Sequence, residues 1–184
     1  MHIDPAHDNR SDQYLVDAAA AGDVGAFEVL YRRHRDFVYR IALRFAGSHE
    51  GALDASQEVF SHLLRKLPTL RLSGKLSTYL YPIAKNTALA ARERDRRRLR
   101  LAQEQARPVE HEEVVTPERA RLMRAVEALP DPQREVLLMR IVDEMSVEEV
   151  ALALGVPEGT VKSRLHHAVG VLRGDEGLRK WFEG

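Results

Sequence analysis

The chain has 184 residues, enough for one ordinary domain or two small ones, and no Cys, which excludes disulfides, thiolate chemistry and Cys-containing zinc sites. Net charge is zero, with 28 Lys and Arg against 28 Asp and Glu, which taken alone argues against a strongly basic nucleic-acid binder. The start, Met1-His2-Ile3-Asp4-Pro5, has neither the basic nor the apolar stretch of a signal peptide, and no window nears the roughly 18 apolar residues of a membrane span. A soluble, cytoplasmic protein is expected.

Almost every segment has helical periodicity, so an all-α fold is expected: two small helical domains joined by a flexible linker, the second a helix-turn-helix. Residues 1–11 are polar and are assigned to a disordered start. A short helix over residues 14–21 ends at Gly22. The next begins near Val24, carries Phe27, Leu30, Tyr31, His34, Val38, Ile41, Ala42 and Phe45 as one apolar stripe, and closes at Gly47. His34, on that stripe, reads as a packing residue.

A third helix, residues 50–67, is expected to bury Leu53, Phe60, Leu63, Leu64 and Leu67, with Pro68 stopping it. Its other face aligns Asp54, Glu58 and Ser61, with Gln57 at the edge. Such a stripe is either solvated or meets a basic partner surface. A loop over residues 69–75 has Ser73-Gly74 at its tip, followed by Lys75.

Ser77 or Thr78 then caps a helix through Tyr79, Tyr81, Lys85, Asn86 and Leu89, where Pro82 should kink the first turns or mark a late start. Aromatic rings, an amide and basic groups suit a single-strand platform, since bases stack on rings and cations hold the backbone. Alternatively, Tyr79 and Tyr81 are core residues with hydrogen-bonded hydroxyls.

Charge is then sharply segregated. Residues 92–100 hold six Arg against Glu93 and Asp95, a local net of +4, whereas residues 101–118 hold five Glu against Arg107, a local net of −4. The Arg92 block is compatible with a solvated helix end. Residues 101–117 read as an acidic linker between domains at 12–100 and 118–175, with a tail at 176–184.

Four helices, 118–129, 132–142, 146–154 and 158–173, make the second domain. Ser146-Val-Glu-Glu-Val-Ala-Leu-Ala-Leu-Gly-Val-Pro-Glu-Gly-Thr-Val-Lys-Ser-Arg-Leu165 is the most specific stretch. Two helices crossing steeply through a short turn need a small residue at the crossing, a residue tolerant of positive φ in the turn, and apolar anchors on the second helix. Ala151, Gly155 and Val161 with Leu165 meet those needs, and Ser146 with Glu149 forms a capping box. Thr160, Lys162, Ser163, Arg164, His166 and His167 face outward, suited to phosphates and base edges in a major groove. The alternative is a helical hairpin with a solvated face. His166 and His167, being adjacent, are expected on different sides of the helix, and the eight histidines show no metal-ligand spacing. No cofactor is expected.

The order of motifs resembles the extracytoplasmic-function group of bacterial sigma factors. The carrying residues are Ala26-Phe27…Leu30-Tyr31-Arg32-Arg33-His34, Asp54-Ala-Ser-Gln57-Glu58-Val59-Phe60, Ser77-Thr78-Tyr79-Leu80-Tyr81-Pro82-Ile83-Ala84-Lys85-Asn86, Ala128-Leu129-Pro130…Gln133-Arg134-Glu135-Val136 and Gly159-Thr160-Val161-Lys162-Ser163-Arg164-Leu165. The likeness covers about residues 12–173 except the linker.

The resemblance implies a core RNA polymerase partner, with Asp54, Gln57 and Glu58 on the clamp helices of its largest subunit, and promoter DNA as ligand. Ser73, Gly74, Lys75, Tyr79, Tyr81, Lys85, Asn86 and Arg92 would meet the minus-ten element, and Thr160, Lys162, Ser163, Arg164, His166 and His167 the minus-thirty-five element. An anti-sigma factor is a further implied partner. The sequence departs from many relatives at Tyr79 (commonly Trp), Pro82 (Arg) and His167 (Arg).

The rival reading is a conventional helix-turn-helix regulator, which would bind duplex promoter without polymerase. No nucleophile–base pair, phosphate-cradling glycine loop or carboxylate cluster supports an enzyme.

Overall fold

The structure, a computed structural model, describes residues 8–102, 116–175 and 178, and every regular element among them is helical. The chain divides into two compact units, Met1–Pro108 and Val109–Gly184. The linker assigned to residues 101–117 falls largely outside the described residues. Leu101 and Ala102 still belong to a helix, and Pro117 opens the next.

The first unit contains α1 (Asp12–Ala20), α2 (Val24–Ala46), α3 (His49–Lys66), a 3-10 turn (Leu67–Thr69) and α4 (Leu76–Ala102). Local chemistry sets the boundaries. Asp23 accepts from the Ala26 amide at 3.1 Å and starts α2, and Gly47 ends it at φ 78°, a conformation that penalises residues with a Cβ. Ser48 caps α3 through the Gly51 amide. A Cβ at Gly51 would stand 2.9 Å from that Ser48 hydroxyl, so glycine keeps the cap intact.

α4 begins at Leu76, one residue before Ser77, so neither Ser77 nor Thr78 is its cap. Pro82 lies inside a helix that continues to Ala102, rather than marking its start. Proline offers no amide to the carbonyl four residues back, here Thr78. The Thr78 hydroxyl, on a residue 4% exposed, also has no hydrogen-bond partner among the described residues.

α2, α3 and α4 pack on one another, with α1 against α2 and the 3-10 turn. The core contains Leu15, Val16, Leu30, Val38, Ile41, Leu63, Leu76, Leu80 and Tyr81. A second cluster is built of Ala42, Ala46, Ala52, Ala55 and Ala88, whose short side chains let the helices approach closely. That seam explains a misreading of α3. Leu53 and Leu64, expected inside, are 55% and 53% exposed, because Ala52 and Ala55 take the buried positions beside Val59, Phe60 and Leu63.

Residues 8–11, assigned by composition to a disordered start, are tied to α2. Arg33 donates to the Asp8 carbonyl at 2.8 Å, the Arg10 carbonyl at 3.1 Å and the Asp12 carboxylate at 2.6 Å. His34 Nε2 lies 3.1 Å from the other Asp12 oxygen. Burial acts to raise the Asp12 pKa, but His34 and Arg33 together outweigh it and hold the carboxyl at about 2.

The second unit contains α5 (Pro117–Glu127), α6 (Asp131–Ile141), α7 (Val147–Leu154) and α8 (Glu158–Gly174). Its core gathers Leu129, Leu137, Ala168, Leu172 and Leu178. Leu178, placed by the sequence reading in a C-terminal tail, is thus part of the packed unit. Arg121 reaches Asp175 at 2.7 Å nearby.

Candidate docking and nucleic-acid surfaces

On α3 the helical period separates two faces. Ala52, Ala55, Val59 and Leu63 turn inward, and Asp54, Gln57, Glu58 and Ser61 are all exposed, as the stripe requires. Leu53 and Leu64 lie beside Gln57 and extend the face with apolar surface. Arg94 of α4 sits 3.4 Å from Glu58 across an open groove that Asp54 and Ser61 also line. The stripe is therefore a mixed acidic and apolar strip, with one carboxylate already answered from α4.

The loop before α4 is fixed at its stem. Leu70 is buried, the Leu72 amide donates to Gln13 Oε1 at 2.9 Å, and Arg71 lies 3.5 Å from Asp17. Ser73, Gly74 and Lys75 are exposed at the tip. Gln13 and Asp17 are not marked by the sequence, because the loop residues they hold, Leu72 and Arg71, lie more than fifty residues away.

The two tyrosines of α4 part company. Tyr81 is completely buried, on a stripe with Ala84, Ala88 and Ala91, so it is a core residue and offers no face for stacking. It does not share a side with Asn86: five residues at 100° each turn the helix by about 140°. Tyr79, seven residues from Asn86, does share its side and is only half-buried. Burial pushes the Tyr79 hydroxyl pKa up. Asn86 and Arg92 are exposed, and the Lys85 ammonium stands over the Phe45 ring at 5.5 Å.

In the second unit the turn matches its sequence signature. The Ser146 hydroxyl accepts from the Glu149 amide at 3.1 Å, and the Glu149 carboxylate accepts from the Ser146 amide at 2.7 Å. Gly155 adopts φ 65°, and Val156 donates back to the Ala151 carbonyl. α8 then buries Val161, Ala168 and Leu172, with Leu165 half-buried.

Lys162, Ser163, His166 and His167 are exposed on its other side, and Thr160 and Arg164 are half-buried. Lys162 pairs with Glu158 at 3.1 Å. His167 Nδ1 lies 2.8 Å from the Ser163 carbonyl; a carbonyl only accepts, so Nδ1 is the donor in this bond. The His166 and His167 rings meet edge to face at 5.9 Å rather than standing on separate sides. No group of three His, Asp or Glu residues among those described could hold a metal. No helix among them is long and apolar enough to cross a membrane.

Residues 30–98 match the Sigma-70 region 2 family, and residues 119–170 match Sigma-70, region 4. The first match, within the first unit, does not favour the conventional-regulator reading. The chain is 33% identical over 172 residues to the RNA polymerase sigma-H factor of Pseudomonas aeruginosa, covering 85% of this chain and 89% of that protein. It is 32% identical over 159 residues to the ECF RNA polymerase sigma factor SigM of Mycobacterium tuberculosis, covering 86% and 81%. A similar fold, with TM-score 0.61 at 21% identity, covering 85% of this chain and 98% of the other, occurs in the sigma factor RpoE of Bartonella quintana, solved with the anti-sigma factor NepR. The chain belongs to the ECF RNA polymerase sigma factors, the subunits that bring RNA polymerase to promoter DNA for transcription initiation.

Proposed function

We propose how the surfaces divide that work. The α3 strip of Asp54, Gln57 and Glu58, flanked by Leu53 and Leu64, docks on the clamp helices of the polymerase's largest subunit. The loop tip Ser73, Gly74 and Lys75, with Tyr79 and Asn86 of α4, receives an unstacked base of the minus-ten element, while Lys85 and Arg92 hold its backbone. α8 enters the major groove of the minus-thirty-five element through Thr160, Lys162, Ser163, Arg164, His166 and His167. The chain does no covalent chemistry itself and works in the cytoplasm, where polymerase and DNA are. An anti-sigma protein restrains it, a reading supported by the solved partner of the Bartonella quintana protein.

The separation of faces on α8 carries this assignment. Its anchors Val161, Ala168 and Leu172 are buried and its donors Lys162, Ser163, His166 and His167 are exposed, so one helix packs on one side and leaves donors on the other, which supports the reading. The test is in-vitro transcription with core polymerase and a promoter library. Wild type should select one bipartite sequence, and Asp54→Lys with Glu58→Lys should weaken core binding by about ten- to a hundredfold with the helix content unchanged. Specific duplex binding without polymerase, or undiminished core binding by the double variant, would overturn it.

A further inference from the structure

We propose that α1 is a strut that sets the position of the loop before α4, with Gln13 as the positioning residue. The inference rests on the base-capture reading of that loop and says what holds the loop in place. Two consecutive residues of α1 reach in different directions. Asp12 is bonded to Arg33 and His34 of α2, which anchors the start of α1 on that helix. Gln13, one residue on, accepts from the Leu72 amide at 2.9 Å and donates from its own Nε2 to Asp17 at 2.9 Å. Asp17 in turn lies 3.5 Å from Arg71.

The Leu72 amide is a backbone donor in a segment with no helix or sheet ladder of its own. Such groups need a partner, and here a side chain from α1 supplies it. Gln13 is oriented by Asp17, so its oxygen, not its nitrogen, faces Leu72. The stem is thus gripped at Arg71 and Leu72, and α4 resumes at the buried Leu76. Only Ser73, Gly74 and Lys75 lie between the two holds, so the reach of the tip is set by α1.

The test uses the full chain and the holoenzyme, on a promoter recovered from the library selection. Gln13→Leu keeps an apolar stem one bond shorter and removes both the acceptor for Leu72 and the donor to Asp17. Gln13→Glu with Asp17→Asn returns the acceptor and exchanges donor and acceptor between positions 13 and 17, so that pair still bonds. Three quantities are read: exchange of the Leu72 amide, core binding, and the ratio of permanganate reactivity on the promoter against one substituted at the captured base. For Gln13→Leu, amide exchange should quicken about fivefold and the base-discrimination ratio should fall by a similar factor, with core binding unchanged; the exchanged pair should restore both. Lys75→Ala serves as the loop-tip control. If Lys75→Ala lowers discrimination and Gln13→Leu does not, the strut is overturned and the loop reading stands. If neither variant lowers it, the loop reading fails and the strut falls with it.

Discussion

Asp12 offers a direct measure of how firmly the start of the chain is fastened. Its carboxyl, ordinarily near 3.8, is held at about 2 by His34 and Arg33 against the opposing effect of burial. At 1.36 kcal/mol per pKa unit the difference is worth roughly 2 kcal/mol at neutral pH, an order-of-magnitude figure for a side chain that is only 17% exposed. Because the folded pKa is depressed, the contribution is complete above the unfolded value and is lost as pH falls from 3.8 toward 2. Asp12→Asn lacks it at every pH. The variant should therefore be about 2 kcal/mol less stable at pH 6, equivalent to a fall of about 8–16 °C in Tm for a unit of this size. The gap should shrink to roughly half by pH 3. Urea titrations read from α2 amide resonances isolate the first unit. A penalty equal at pH 6 and pH 3 would assign the loss to packing instead of charge, and one below about 0.5 kcal/mol would mean the anchor is superfluous.

Ser146→Ala removes the acceptor for the Glu149 amide and should cost the second unit about 1 kcal/mol, seen as earlier melting of α7 amides. Glu144 is the single described non-glycine residue at positive φ, 54°, in the turn that Arg140 staples by donating to the Met145 carbonyl. Glu144→Gly should accordingly stabilise that unit by about 0.5–1 kcal/mol in urea unfolding, and destabilisation would refute the strain argument. Lys162→Ala should lower the salt dependence of holoenzyme–promoter affinity by about one unit of slope, if its ammonium leaves Glu158 for a phosphate. An unchanged slope would mean that it stays with Glu158.

What the sequence made legible was local. Gly47, Gly155 and the Ser146–Glu149 box are decided within a turn of helix, and each stands where its chemistry requires. Reading failed where a weak signal outranked a strong one. Leu53 and Leu64 carry more apolar area than Ala52 and Ala55, yet helices spaced by methyl groups bury the alanines and leave the leucines outside. For Tyr81 the sequence left the base platform and the core both open, and the core alternative holds: its companions on the buried stripe are Ala84, Ala88 and Ala91. Tyr79, not Tyr81, shares a side of α4 with Asn86, because seven residues nearly complete two turns, about 10 Å along the axis. The hold of Gln13 on Leu72 was out of reach, since nothing near either residue records the other.

The alanine seam also bears on how force travels. Where long side chains interdigitate, a push on one helix is partly absorbed by rotamer changes at the contact. Ala42, Ala46, Ala52, Ala55 and Ala88 have no rotamers to change, and close-packed interiors compress little. A load applied to the outer face of α3 therefore arrives at α4 with almost no slack. α4 itself runs 27 residues, about 40 Å, from the loop before it to the arginine block, with the one missing amide at Pro82 near its start. Whatever seats itself on Asp54 and Glu58 therefore presses on α4 through methyl groups.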